Sequence, residues 1–339
     1  MPALASTEET GPEGRLVGEE HRKKPLSWPA LLLTSCLLVP NIGPAPLGWL
    51  FFFVPLAAFA VLLHQGRSAG TLQVRNAVLL ALLLVLPLGS WKALLLGLTM
   101  VPLGFLLDSA RQRQLPPAPT GGLAVLLLAL LWLTYWGGYG LALGVNPYTL
   151  LCQVLDAALA QGRELYLASD QALTPEQAAI IRETTAGLQT MLPRILPGLL
   201  VTSLLVTVWG NLVLAARLVT WLRPAEPGWP LFSQWCLPDQ LAWLPIGAGV
   251  LLVLGPGATK DLGVNLLLLS SVVYLFQGLA VMAHFMGRWQ VARPFKVLVW
   301  LLVLMQSLGM TLLAVLGLAE TWADFRRLRR AQPKEQTAE

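Results

Sequence analysis

Several long stretches of the chain contain no aspartate, glutamate, lysine or arginine. Among them are residues 121–155, 195–216, 262–286 and 297–319. A helix needs roughly 20 apolar residues to cross the hydrocarbon core of a bilayer, so each stretch is long enough for one spanning helix. Shorter apolar runs, interrupted by proline and glycine, precede them and are typical of helical hairpins. The pattern predicts an all-α, polytopic transmembrane helical bundle.

The apolar runs predict nine candidate spans within a transmembrane domain at 26–330. The segment 146–193 separates two of them. Its apolar residues recur at three- and four-residue steps, and Thr174, Pro175 and Gln177 have the pattern of a capped helix start. We expect this segment to form an extracytoplasmic amphipathic helical pair. The candidate spans lie near 28–39, 47–64, 76–86, 93–107, 121–143, 195–222, 241–255, 262–286 and 297–319.

Composition excludes a soluble protein. Of the 339 residues, 55% are hydrophobic and 12% are charged, whereas soluble domains have about 25% charged residues. The net charge of +5 comes from bases clustered beside the apolar runs. This is the positive-inside pattern of a multi-pass protein of the bacterial cytoplasmic (inner) membrane, and it does not favour nucleic-acid binding. The three cysteines lie far apart, so they indicate neither a disulfide framework nor a metal site. No cofactor is expected.

Charge also bears on the ends of the chain and on the number of crossings. Residues 1–25 and 331–339 are polar and are expected to be disordered tails, and the bases before the first span place the N-terminus in the cytoplasm. If every run crosses, there are nine spans, and the arginine-rich C-terminus lies outside, against the charge rule. If 241–255 is re-entrant, there are eight spans and the C-terminus lies inside. Hydropathy favours nine and charge favours eight, so both stay open.

Polar side chains inside the apolar runs are the candidates for a ligand site. The bilayer core provides no water, so each polar group must find a hydrogen-bond partner on a neighbouring helix or in a cavity. Two interpretations therefore stay open: these residues hold helices together, or they line a central ligand-binding cavity. The candidates are Asn211 in the sixth predicted span, and Asn265, Tyr274, Gln277 and His284 in the eighth.

Helical geometry separates the four candidates of the eighth span. Tyr274, Gln277 and His284 share one stripe about 15 Å long at 1.5 Å per residue. Asn265 lies about 18 Å from Gln277 along the axis, so one small ligand is not expected to contact both. His284 is expected at the membrane interface.

No catalytic motif is found. The chain contains no phosphate-binding glycine loop, no His/Glu metal-ligand spacing and no acidic pair within a span. Gly66, Ser68 and Gly70 match the letters of a hydrolase nucleophile elbow, but that motif needs a strand before it and a helix after it. Here it lies in a short loop between two predicted spans. We therefore expect a protein that is not an enzyme.

Several short motifs carry a family resemblance: residues 230–239, 263–267, 274–280, 316–318 and 324–326. They resemble the YybS-like family of predicted bacterial membrane proteins, a domain of unknown function (DUF2232). The resemblance covers most of the chain between its polar tails and implies a membrane protein without an assigned activity. Family positions are also matched by Asn211 and Arg217, and Glu320 is the nearest match to an acidic residue of some relatives.

A more distant similarity concerns the first hairpins. They are similar to the substrate-binding S components of energy-coupling-factor transporters, which is a fold-level analogy only. The helical pair at 146–193 and three further C-terminal runs depart from that fold.

The leading hypothesis is binding or transport of a small-molecule ligand in a cavity bordered by the sixth and eighth spans, with the extracytoplasmic helical pair over its outer mouth. The alternative is a structural or assembly protein whose polar residues join helices and whose basic C-terminus contacts a protein partner at the cytoplasmic face. The hypotheses differ at Gln277, because a transporter needs a water-reachable cavity there and a scaffold should be packed solid. In both cases the lipid bilayer is a partner and nucleic acid is not.

Overall fold

A computed structural model describes residues 27–42, 45–89, 91–168, 174–226 and 228–328. In these ranges the protein is helical and has no strand, so the expected all-α class is confirmed. The tails predicted at 1–25 and 331–339 lie outside the described residues. The helices are α1 (Trp28–Ile42), α2 (Val54–Gln65), α3 (Arg67–Val85), α4 (Trp91–Leu98), α5 (Val101–Gln112), α6 (Pro117–Leu143), α7 (Pro147–Leu167), α8 (Pro175–Leu222), α9 (Trp243–Leu254), α10 (Ala258–Arg288), α11 (Arg293–Met305) and α12 (Ser307–Ala323).

Six helical stretches among the described residues are long and apolar enough to cross a membrane. They are α2 with the 3-10 helix before it (Ala45–Phe53), α3, α4 with α5, α6, α8 and α10. The pair α11 and α12 would be a seventh, but these helices are bent by 101° relative to each other. α1 and α9 have 15 and 12 residues, fewer than the roughly 20 of a perpendicular crossing. The helices fit a multi-pass membrane protein, and the count of eight or nine crossings stays a prediction.

The second helix of the predicted extramembrane pair and the sixth predicted span are joined without a break, and where the membrane boundary between them lies stays a prediction. Pro175–Leu222 forms one helix of 48 residues, α8, which is about 72 Å long at 1.5 Å per residue. That length exceeds the roughly 40–45 Å of a bilayer with its headgroups, so α8 is long enough to extend beyond a membrane. α7 packs antiparallel on its first half. The predicted capping box between Thr174 and Gln177 is confirmed.

The run predicted as a span at 297–319 is divided in two. The backbone of Gln306 is extended, with φ −109° and ψ 125°, so α11 ends at Met305 and α12 begins one residue after the break. The chain folds back tightly at this point, because a Cβ on Gly309 would come within 2.7 Å of the carbonyl oxygen of Val303. Glycine therefore permits the sharp bend that the uniform hydropathy of the run conceals.

Helix α8 connects two groups of helices. The buried apolar core lies mainly between α8 and the helices α1 to α6, while α10, with α9 and α12 packed on it, lies on another side of α8. α8 and α10 run parallel, since Asn265 contacts Gly198 and the Phe276 ring lies 6.4 Å from the Trp209 ring. The middle of α10, near Phe276, is therefore level with Trp209, which lies in the last third of α8.

Helices α10 and α12 pack antiparallel with their backbones in contact. Gly278 lies against the carbonyl group of Leu313, and Gly317 lies against that of Tyr274. Small residues that allow such close approach are a general feature of helix pairs in membranes. This contact fixes α12 on the face of α10 that carries Tyr274 and Gln277.

Candidate functional site

A cavity of about 740 Å³ lies beside Gln277, within the usual range of roughly 300–1,000 Å³ for small-molecule sites. It is bordered by the start of α6, the last third of α8, one face of α10, residue Leu328 and the chain between α8 and α9. No lining residue comes from 146–193, so the α7–α8 pair does not cover this cavity. The lining includes Pro117, Trp209, Phe232, Trp235, Cys236 and Gln277.

The wall between α8 and α9 is the irregular segment 228–242, which contains two short 3-10 turns and no α-helix. Its Trp235 ring lies 5.8 Å from the Trp209 ring of α8, and its Leu237 N–H donates to Gln277 of α10 at 3.1 Å. The segment therefore reaches Trp209 in the last third of α8 and Gln277 near the middle of α10. Within a membrane, irregular backbone is tolerated only where it is buried in protein or lines a cavity. Trp229, Trp235 and Ala242 of segment 228–242 are buried, and several of its residues between Pro230 and Asp239 line the cavity.

Gln277 joins three elements through its amide group. The Nε2 group donates to the carbonyl oxygen of Gly317 in α12 at 3.0 Å, and Oε1 accepts from the N–H of Leu237. The side chain is 3% exposed. The structure thus places Gln277 in the cavity wall, with its amide used to hold α10, α12 and segment 228–242 together.

Asn265 bridges a proline-containing turn of α8. Its Oδ1 accepts from the N–H of Gly198, and its Nδ2 donates to the carbonyl oxygens of Arg194 at 2.8 Å and Asp261 at 2.7 Å. In an undisturbed helix, the N–H of residue 198 and the carbonyl of residue 194 bond to each other. The side chain of Asn265 therefore satisfies both members of a helical pair next to Pro197.

The carbonyl of Pro193 has a partner from outside the helix as well. Pro197 has no N–H, so it cannot bond to the carbonyl four residues before it. The hydroxyl of Tyr148 in α7 donates to that carbonyl oxygen at 2.5 Å. Partial burial, followed by the neighbouring Cys152 thiol, raises the pKa of Tyr148, so the phenol keeps its proton. These contacts explain how α8 continues past Pro197.

Replacing Asn265 with leucine is expected to destabilise the protein by about 1–3 kcal/mol, the usual cost of leaving buried hydrogen-bonding groups without partners. The groups affected are the N–H of Gly198 and the carbonyl of Arg194. Thermal unfolding of detergent-solubilised protein, followed by circular dichroism, measures the change. Ser271→Leu is the matched control, since the exposed Ser271 hydroxyl bonds only within α10. Equal melting of the two variants would contradict the bridging role.

The remaining candidates do not line the cavity. Asn211 is fully buried and donates to the carbonyl oxygens of Phe52 and Thr207, each at 2.8 Å. Its Oδ1 atom has no hydrogen-bond partner among the described residues. Tyr274 is buried against α12, and the half-buried His284 has its ring 5.6 Å from that of Phe285. The five candidates are therefore spread along α8 and α10 rather than gathered at one site.

Comparison with protein families gives a match to the model of predicted membrane proteins designated DUF2232, over residues 31–321. The chain belongs to this family. No curated protein and no solved structure gave a significant match. The family recognised from the motifs is thus confirmed, while the narrower YybS-like designation and the analogy to S components stay predictions. The DUF2232 match includes the cavity-lining residues of α6, α8, α10 and segment 228–242.

A buried ion pair was not recognised from the sequence. Arg326 donates through Nε to Glu320 Oε1 at 2.8 Å and through Nη1 to the carbonyl oxygen of Ser233 at 2.8 Å. The two side chains are 0% and 3% exposed, and Glu320 Oε2 also accepts from the N–H of Phe325. The sequence signal for this ion pair is that Glu320 and residues 324–326 match positions of the family resemblance. The pair ties the chain after α12 to segment 228–242.

A second charge network lies where α5 and α8 end. The Asp108 side chain is 1% exposed and pairs with Arg111 at 3.0 Å. Glu226 pairs with both Arg111 and Arg223, each at 2.6 Å. The four charges cancel, and the network fixes the start of the connection into segment 228–242. The two outer pairs are local, at i,i+3 in the sequence, but the Arg111–Glu226 pair that joins them spans 115 residues and has no signal in a local pattern. Within the described part of the chain, no group of three or more His, Cys, Asp or Glu residues is placed to hold a metal ion.

Proposed function

We propose that the protein binds a small, predominantly apolar solute in the cavity beside Gln277, without catalysing a reaction on it. The observation that carries this proposal is the position of segment 228–242: irregular backbone reaches Trp209 of α8 and Gln277 of α10 and lines a cavity there. Transporters commonly build their substrate sites from broken helices near the membrane midplane. The clustering of bases beside the apolar runs supports a location in the bacterial cytoplasmic membrane.

The chemistry of the walls indicates the class of solute. Aromatic rings from Trp209, Phe232, Trp235 and Phe276 form much of the lining and suit a planar or short aliphatic body. The amide of Gln277 is already bonded to backbone groups, so it positions the wall rather than waiting for a ligand. Hydrogen bonds to a ligand would come from backbone groups of segment 228–242 and from the Gln234 side chain, which also lines the cavity.

The alternative is a structural or assembly role, and one observation favours it. The amides of Asn211, Asn265 and Gln277 all bond to backbone groups of neighbouring segments. Residues of this kind hold helices together and need no solute. The two functions differ in whether the cavity admits water and ligand.

The native Cys236 provides the first test, because it lies in the cavity wall and is exposed. In a background with Cys36→Ala and Cys152→Ala, a water-soluble maleimide should label Cys236 in membranes. Val273→Trp should slow this labelling, since Val273 lines the cavity. Val272→Trp is the matched control, because Val272 is not among the lining residues. An unreactive Cys236, in membranes where detergent-solubilised protein does react, would favour the structural role.

The second test is ligand binding itself. A panel of ring-containing acids, amides and amines is screened for an increase in the melting temperature of the solubilised protein. A solute at about one hundred times its Kd stabilises its binding protein by about 2.7 kcal/mol. A true cavity ligand loses this effect with Val273→Trp and keeps it with Val272→Trp. If labelling shows an open cavity and every solute acts equally on both variants, the proposed binding function is wrong.

A further inference from the structure

Helix α11 is apolar, short and largely uncovered. Its 13 residues make it about 20 Å long, which is less than the roughly 30 Å of a hydrocarbon core. None of its described side chains is buried, and Met305 at its end is 83% exposed. The most exposed apolar side chains are Phe295, Val297, Leu298, Leu301, Leu302 and Met305.

The packing of α12 defines how α11 lies. The contacts of Gly278 with Leu313 and of Gly317 with Tyr274 set an antiparallel register between α10 and α12. Continued toward the start of α12, this register brings its first turn beside the last turns of α10. The bend of 101° between α11 and α12 then directs α11 at a steep angle to α10 rather than along it. If α10 crosses the membrane, α11 lies close to the plane of one membrane surface.

The charges around α11 are all of one sign. Between Asp261 and Glu320 the chain has three charged residues, Arg288, Arg293 and Lys296. None of the three forms an ion pair within the described residues. The first turn of α11 contains no acidic residue, although the helix dipole makes that end partially positive. These three bases therefore lie close in the chain to an exposed apolar surface and have no ion-pair partner among the described residues.

We propose that α11 is an interfacial helix that binds anionic phospholipid headgroups. Its apolar side chains lie at the boundary of the acyl chains, and Arg288, Arg293 and Lys296 contact the lipid phosphates. Basic and apolar groups combined on one short helix are typical of segments that lie in a membrane interface, and bases at an anionic leaflet attract its lipids. This inference is independent of the cavity and of its solute.

Spin-labelled lipids test the headgroup contact in vesicles of phosphatidylcholine that contain phosphatidylglycerol. The intact protein should immobilise phosphatidylglycerol in preference to phosphatidylcholine. The triple variant Arg288→Gln, Arg293→Gln and Lys296→Gln should lose this preference, while a variant that exchanges arginine and lysine at the same three positions should keep it. If the neutral variant retains the full preference, or the intact protein has none, the proposed lipid contact is wrong.

Depth measurements test the orientation separately. Nitroxide labels on single cysteines at Phe295, Leu298, Leu302 and Met305 should report similar depths in the bilayer if α11 lies in the interface. If α11 were part of a perpendicular span, the depth would change by about 15 Å between the first and last of these positions at 1.5 Å per residue. A graded profile of that size would overturn the interfacial assignment even if the lipid preference were observed.

Discussion

Replacing Glu320 with alanine is expected to destabilise the protein by about 3–5 kcal/mol, the cost of leaving one member of a buried ion pair without the other. The Arg326 side chain is fully buried, so its charge needs a partner in the protein. Without Glu320, the remaining partners of Arg326 are the Ser233 carbonyl oxygen and the Cys236 sulfur. Neither group replaces the negative charge of the carboxylate. Unfolding in mixed micelles with increasing sodium dodecyl sulfate, followed by circular dichroism, measures the loss.

Two further variants show whether the buried charge causes this loss. The double variant Glu320→Leu with Arg326→Met removes both charges and should recover much of the stability, because well-packed apolar residues often replace a buried pair at little cost. Glu164→Ala breaks the pair with Arg163 on α7, where the glutamate side chain is 70% exposed, and should have almost no effect. A Glu320→Ala protein as stable as Glu164→Ala would show that Arg326 is hydrated or paired differently.

The general architecture could be predicted from the sequence because it depends on local properties. Hydrophobic runs predict helices wherever backbone groups must be satisfied internally, and the capping box at Thr174 needs only residues three positions apart. The continuity of α8 could not be predicted in this way. Prolines usually end or kink a helix, and the groups that compensate for Pro197 come from Tyr148 and Asn265, 45 and 67 residues away from the positions that they contact.

The candidate site shows the same limit. The sequence directs attention to Gln277, because an amide in an apolar run must have a partner, but it cannot identify Leu237 and Gly317 as those partners. The cavity depends on segment 228–242, whose proline- and tryptophan-rich sequence has no regular period. The division of the last run at Gln306 is hidden for another reason: hydropathy averages over a window and does not respond to a bend. Gly309, which permits that bend, was the only local signal.

Replacing Gly278 with alanine is expected to cost about 3 kcal/mol, at the upper end of the usual range for overpacking. A Cβ at this position would collide with the carbonyl group of Leu313, which is backbone and cannot rotate away as a side chain can. The helices must then separate, and the hydrogen bond from Gln277 to the carbonyl of Gly317 must lengthen. Gly317→Ala should have a similar effect, since its Cβ would lie 2.6 Å from the backbone nitrogen of Gly278.

A glycine-to-alanine change elsewhere on α10 should not lower the stability, so it is a direct control for Gly278→Ala. Gly287 has no atom within 4 Å of the position that a Cβ would take, so Gly287→Ala should be neutral or stabilise the helix by up to about 1 kcal/mol through helix propensity alone. Both variants add one methyl group to one helix, and only Gly278→Ala adds it against α12. If the two melt alike, α10 and α12 are not in backbone contact, and the wall that Gln277 forms beside the cavity would need another explanation.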